Sequence, residues 1–445
     1  MQNQPSPDHQ HADLIIKAGW IAPVAPETGA LADHALVVRG DTIVDLLPTP
    51  LADQKWRADE VVELGNHLLI PGLVNAHTHA AMNLFRGLAD DLPLMTWLQD
   101  HIWPAEAQWV SGDFVYQGTQ LAITEMLRCG TTTFADMYFY SGDSIEAALD
   151  AGMRTVSFTP VLDFPTNFAQ NADEYIRKTL DVHSKYRHQP LAHVGIGPHA
   201  PYTVSDEPLK EITTTASQLQ MPVQIHLHET AFEVSQSLEE RGMRPTQRLA
   251  ELGFLNESVS CVHMTQINDI DIDILKQTGA SVVHCPESNL KLASGFCPVA
   301  SLLSEGVNLG LGTDGAASNN DLNIQGEMKS AAMLAKAVAN DAAAVPAMAA
   351  LRMATSGSAK ALGIDELTGS IEAGKYADLQ AVRMSELTQS PLYDPASQLV
   401  YTDSSRYTEY VWVAGKALLS RGELTSIDAS QILEKTRQWQ SKIQP

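Results

Sequence analysis

The feature that most constrains the fold is a series of eight short apolar runs, ending near His77, Asp136, Pro160, His199, His226, His263, His284 and Asp314. Amphipathic stretches lie between them, for example Gln117 to Arg128, Glu207 to Gln218 and Asp269 to Gln277. Strands alternating with helices build βα units around a parallel sheet, and eight such units are what a (β/α)8 TIM-type barrel of the α/β class requires. Most of the runs close on His or Asp, residue types with no propensity reason to end a buried strand. One histidine in such a place is more often a packed structural residue; the repetition points to chemistry gathered at one end of a barrel.

The flanks have a different texture. Asp13 to Lys17 and Ala35 to Arg39 read as short strands, with Gly40-Asp41 as a turn before Thr42 to Asp45; Tyr376 to Val382 and Tyr410 to Lys416 read the same way near the other end. Neither end buries a core alone, so the two are expected to pair into one small β-sandwich. The predicted division is residues 1–69 and 369–445 for the sandwich and 70–368 for the barrel, with a polar, disordered tail ahead of Asp13. The start, Met1 to Asp8, has neither the basic nor the apolar region of a signal peptide, and no run approaches the roughly 18 apolar residues of a membrane span, so a cytoplasmic location is expected. A formal net charge of -24 opposes phosphate backbones and anionic lipid surfaces, which argues against nucleic acid and membrane partners. Cys129, Cys261, Cys285 and Cys297 are scattered as reduced thiols would be, so a bound metal would take nitrogen and oxygen ligands.

The first run, Leu69-Ile70-Pro71-Gly72-Leu73-Val74-Asn75-Ala76-His77-Thr78-His79, delivers two imidazoles two residues apart. On an extended strand both leave the same face and can grip one ion, although the H-x-H pattern also arises by accident. His226 ends Val223 to His226, and Asp314 ends Val307 to Asp314. Three imidazoles and one carboxylate suit zinc, with iron or manganese accommodated by the same geometry and one position open for water. Periodicity does not choose between His226 and His228. Glu229 would place a carboxyl group beside that ion, though a helix N-terminus would also favour its charge.

Pro71 to His79, His226-Leu227-His228-Glu229-Thr230, Leu311 to Asn320 and Gly369 to Leu379 together resemble the amidohydrolase superfamily, over nearly the whole chain. Within it the likeness is greatest to the branch of 5-methylthioadenosine/S-adenosylhomocysteine deaminases and triazine hydrolases. The resemblance implies one divalent metal ion, held by His77, His79, His226 and Asp314, with Glu229 and His263 handling protons and Asp314 able to take the proton of the attacking water. Gln266 departs from relatives that carry a further histidine, without touching the chemistry. For a 6-aminopurine, water would add at C6, Glu229 would protonate ring N1, His263 would stabilise the oxygen gaining charge, and ammonia would leave.

The segment from Asn83 to Leu98 reads in isolation as a surface helix entered through Pro93, but it resembles a lid of the adenosine-thioether deaminases, in which Met82 and Trp97 line the base and thioether pocket. Trp103-Pro104-Ala105-Glu106 is similar to the same branch and implies that Glu106 accepts hydrogen bonds from a ribose diol. His199 is implied to contact the nucleoside, and His284 to lie at the rim; turn and packing roles are the plain alternatives for both. A homodimer is the family-level expectation. Relatives accepting S-adenosylhomocysteine carry arginines after the third strand, whereas Thr155 to Tyr175 holds no Lys or Arg. An uncharged methylthio tail beside Leu162 and Phe164 is therefore favoured, so 5'-methylthioadenosine is expected ahead of S-adenosylhomocysteine and adenosine. The competing readings are a triazine-type hydrolase, a guanine or cytosine deaminase, and a non-catalytic barrel that serves as a binding or assembly protein; Glu106 argues for the nucleoside, and the presence of all four metal ligands argues against the last.

Overall fold

The computed structural model describes residues 9–26 and 29–444. Four strands open the chain: β1 (Gln10–Ile21), β2 (Leu31–Arg39), β3 (Thr42–Pro48) and β4 (Trp56–Pro71). The first begins earlier than the expected start at Asp13, and residues 1–8 of the expected tail lie outside the described residues. Eight parallel strands follow: β5 (Leu73–Thr78), β6 (Thr131–Met137), β7 (Arg154–Val161), β8 (Ala192–Pro198), β9 (Val223–Leu227), β10 (Val259–His263), β11 (Ser281–His284) and β12 (Leu309–Leu311). The last group is β13 (Leu379–Arg383), β14 (Thr408–Val413), β15 (Lys416–Ser420) and β16 (Glu423–Leu424).

β5 to β12 pair in sequence order, as a TIM-type barrel does, and their residues are almost all buried because helices cover the outer face. The two edges meet where the Asp314 N–H donates to the His77 carbonyl at 3.1 Å. Gly312 permits this closure, since a Cβ there would stand 2.8 Å from the His77 Cβ and 2.9 Å from its backbone nitrogen. The barrel helices cover the expected ranges and extend a little beyond them. Gly112–Arg128 starts earlier than Gln117 because the Ser111 hydroxyl caps it, accepting from the Phe114 N–H, and Asp269–Thr278 is capped by Asn268.

The terminal segments share one eight-stranded mixed sheet in the order β16-β15-β14-β13-β4-β1-β2-β3. β4 pairs with β1 in parallel and with β13 antiparallel, Leu69 opposite Ala381. Alternating residues supply a core on each face: Leu14, Ile16, Leu36 and Val38 on one, Ile15, Ala35, Val37 and Trp56 on the other.

The apolar run leading to His77 is not one strand. Its first part finishes β4, and the chain crosses to β5 at Gly72, where a Cβ would lie 2.1 Å from the Thr132 side chain. Among the described residues no helix is long and apolar enough to cross a membrane, and the four cysteines are free.

Candidate active site

At the C-terminal ends of the barrel strands, donor atoms of His77, His79 and His226 lie within 4.8 Å of one another. The Asp314 Oδ1 is 3.5 Å from His77 Nε2 and 3.3 Å from His79 Nε2, and the His77 and His226 Nε2 atoms are 3.2 Å apart. Each imidazole commits its Nδ1 to an oxygen acceptor: His77 to Gln224 Oε1 at 2.7 Å, His79 to the Met137 carbonyl at 2.7 Å, His226 to the His199 carbonyl at 2.8 Å. An acceptor at Nδ1 fixes the proton there, so the three Nε2 lone pairs converge with a carboxylate on one point. Three ring nitrogens and a carboxylate oxygen brought so close together fit a cation, and the nitrogen and oxygen donors fit zinc. His228, which periodicity left level with His226, is turned away into a buried cluster with Thr246, Asp271 and Arg244.

The carboxylate is held as firmly as the rings. Asp314 Oδ2 accepts from the hydroxyls of Ser288 and Ser318, each at 2.7 Å. Burial pushes its carboxyl upward, but the His77 and His79 imidazoles outweigh that and hold it well below the carboxylate range. Asp314 (φ 62°), His263 (φ 77°) and His228 (φ 53°) all sit in the left-handed region, a cost that non-glycine residues bear chiefly where a site fixes them.

Glu229 and His263 flank the same point, with His263 Nε2 3.9 Å from Glu229 Oε2. The backbone N–H groups of His228 and Glu229 both donate to the buried Glu233 carboxylate at 2.9 Å, which anchors the turn presenting Glu229. Burial, reinforced by the negative charge of Asp314, pushes the Glu229 carboxyl up to about 8.

These groups open on a cavity of about 440 Å³, lined by Met82, Trp97, Glu106, Tyr138, Leu162, Phe164, His199, Glu229, His263 and Asp314 among others. Met82 lies on the 3-10 turn Ala80–Phe85 and Trp97 opens the π-helical turn Trp97–Ile102, so the segment after β5 folds over the mouth. Glu106 follows on the helix Trp103–Trp109 and accepts from the Tyr138 hydroxyl at 2.7 Å. His199 faces the cavity from the end of β8, its ring held neutral by burial and the neighbouring imidazoles, which push it down to about 4. His284 departs from expectation. It ends β11, but its ring is enclosed at 1% exposure rather than lying at the rim, neither ring nitrogen has a protein partner, and it is not among the residues lining the cavity. The residues not foreseen are Gln224, Ser288, Asn289, Glu233 and Tyr138. Gln224 gave one readable signal, an amide inside an otherwise apolar strand.

Comparison with known proteins agrees with this geometry. The profile of the Amidohydrolase family matches residues 68–418. A 5-methylthioadenosine/S-adenosylhomocysteine deaminase of Saccharophagus degradans is 54% identical over 434 residues, 97% of each chain. One of Teredinibacter turnerae is 48% identical over 431 residues, 97% of this chain and 98% of that one. Among solved structures, an adenosine deaminase from Xanthomonas campestris with bound zinc superposes with a TM-score of 0.96 at 46% identity, covering 98% of this chain and 99% of that one. A triazine hydrolase variant, at 23% identity and TM-score 0.90 over 96% of this chain and 99% of its own, shares the fold.

Proposed function

Since this chain belongs to the amidohydrolase family and is a hydrolytic deaminase, we propose that it converts 5'-methylthioadenosine to 5'-methylthioinosine, with one zinc ion per subunit. The observation that carries this reading is the convergence of a zinc-suited donor set, the largely buried Glu229 and, apart from them, the Glu106 carboxylate on one largely apolar cavity. His77, His79, His226 and Asp314 would hold the zinc, which when bound would act as a Lewis acid and bring the pKa of a water toward about 7. Glu229, raised to about 8, carries a proton at neutral pH and donates it to ring N1 as water attacks C6. His263 has its Nδ1 committed to Asn289 and presents Nε2 to the cavity, where it receives a proton and then faces the oxygen that gains charge. The proton that His263 took from the water passes to the exocyclic amine, which leaves as ammonia, while the C6 hydroxyl returns its proton to Glu229 as the 6-oxo group forms.

Glu106 supplies the acceptor for the ribose diol, which favours a nucleoside over a free base or a triazine. Among the described residues lining the cavity none is Lys or Arg, while Leu162, Phe164 and Phe168 are apolar wall. A carboxylate-bearing tail would find no Lys or Arg in that lining to pair with, so the uncharged thioether is preferred.

The test is ammonia release by the purified protein from 5'-methylthioadenosine, S-adenosylhomocysteine, adenosine, guanine and a chlorotriazine, with and without chelator. Methylthioadenosine is expected to give the highest kcat/KM. Turnover of guanine or the triazine without any nucleoside would overturn the reading, and equal turnover of S-adenosylhomocysteine would overturn its specificity.

A further inference from the structure

We propose that Tyr138 is a positioning residue for ribose recognition, its hydroxyl holding the Glu106 carboxylate so that one oxygen is committed to the protein and the other is left for the substrate's vicinal diol. The inference rests on the reading of Glu106 given above and adds a residue that acts through it.

The Tyr138 hydroxyl lies 2.7 Å from Glu106 Oε1, and its ring, 3% exposed, has no freedom to swing away. Among the described residues no Lys or Arg pairs with Glu106, and this hydroxyl is its one hydrogen-bond donor from the protein. A glutamate on a short helix over a cavity mouth has several rotamers to lose when it binds a ligand. Fixing it beforehand removes that cost from binding. Burial also pushes the Glu106 carboxyl upward, toward a neutral form that accepts poorly, and the hydrogen bond from Tyr138 draws it back.

The same strand end serves two ends of the substrate. Met137 closes β6 and its carbonyl accepts from His79 Nδ1; the next residue, Tyr138, holds Glu106. A metal ligand and the sugar anchor are thus referenced to adjacent residues of one strand end, which ties the position of the Glu106 carboxylate to that of the reacting centre.

The test compares 5'-methylthioadenosine with its 2',3'-dideoxy analogue on the parent, Tyr138→Phe and Glu106→Gln proteins. Both constants come from one preparation, so any loss of folded protein cancels from their ratio. For Tyr138→Phe the ribose/dideoxyribose ratio of kcat/KM should fall about tenfold, the size of one hydrogen bond to a charged group, with the loss in KM and kcat kept within about twofold. Glu106→Gln should lower the same ratio at least as far, and the double variant little further, because both act at one contact. An unchanged ratio in Glu106→Gln would overturn the reading of Glu106 as the ribose acceptor. A collapsed ratio in Glu106→Gln with an unchanged one in Tyr138→Phe would overturn the present inference alone, as would an equal loss on both substrates.

Discussion

The Nδ1 of His263 lies 2.8 Å from the Oδ1 of Asn289, inside the barrel mouth and away from solvent. The carbonyl oxygen of Asn289 accepts, so His263 keeps its proton on Nδ1 and turns Nε2 toward the cavity. Replacing Asn289 by Ala frees both the ring's rotation and its tautomer while leaving every lining residue in place. The expected result is a kcat lower by about 10- to 100-fold with KM little changed, a loss typical of partners that orient a catalytic group. Steady-state kinetics check this; an unaltered kcat would show that His263 needs no such support.

The carboxyl of Glu229, raised to about 8, gives the pH dependence its sign. The protonated form is the acid, and it is lost as pH rises, so kcat/KM should fall by about tenfold per pH unit above 8. A profile of kcat/KM between pH 6 and 10 in which the rate stays flat through the alkaline half would remove Glu229 from that role. The same shift makes the fold less stable as pH rises from the ordinary value of 4.5 to about 8, because the unfolded chain releases this proton first.

Removing the metal should remove activity. Dialysis against a chelator is expected to leave folded, inactive protein that recovers with zinc, and Asp314→Asn should purify with substoichiometric metal. Gln224→Leu is the sharper probe, since Gln224 touches no ion but accepts from His77 Nδ1 at 2.7 Å while its own amide donates to the Ala76 carbonyl at 2.9 Å. Its loss should weaken metal binding by about 10- to 100-fold, read by competition with a chromophoric chelator. Unchanged affinity would mean that the His77 ring is fixed by packing alone.

The parts of the fold that could be read from the sequence are those that local pattern encodes. Parallel barrel strands are buried on both faces and stand out as apolar runs, and His77, His226, His263 and Asp314 stand out because they interrupt that pattern at its end. His284 shows where this fails. It gives the same signal as His226, yet lies enclosed and off the cavity although β10 and β11 pair Val262 with Val283 and so bring it level with His263, because the residue type at a strand end does not say where its ring points. The roles of Gln224, Asn289 and Tyr138 are hidden for another reason: even where Gln224 stands out as an amide in its strand, each has meaning only through a partner distant in sequence, His77, His263 and Glu106. The split of the His77 run between two sheets is hidden likewise, since it shows only in the distant partners of adjacent residues, the Gly72 N–H donating to the Asp378 carbonyl and the Leu73 N–H to the Gly130 carbonyl.

Phe164 offers a gain of function. It lines the cavity at 41% exposure, in the loop after β7, and among the described residues no Lys or Arg lines the cavity with it. Phe164→Arg would place a guanidinium there without burying it, and a carboxylate-bearing tail would then find a bidentate partner. The kcat/KM for S-adenosylhomocysteine relative to methylthioadenosine should rise about 10- to 100-fold, the range of a charge-assisted hydrogen bond. A ratio that does not move would place the 5' substituent elsewhere in the cavity.

Stability should hinge on a buried ion pair at the opposite end of the barrel. Arg154, the first residue of β7, is fully buried and meets Asp378 through Nε to Oδ2 at 2.7 Å and Nη2 to Oδ1 at 3.2 Å. Its third nitrogen, Nη1, donates to the Pro190 carbonyl at 2.7 Å, its plane lies over the Tyr376 ring, and Asp378 also accepts from the Ala414 N–H at 2.7 Å. The pair therefore joins the barrel to the mixed sheet with nearly all of its hydrogen-bonding groups used. Desolvating two charges offsets most of their attraction, so the pair adds little against an apolar replacement, but removing one partner strands the other. Asp378→Ala should cost about 3–5 kcal/mol in denaturant unfolding, whereas the double change Arg154→Met with Asp378→Leu should cost less than the single one. A loss below about 1 kcal/mol for Asp378→Ala would show that water reaches the guanidinium and that the sheet is held to the barrel by apolar packing instead.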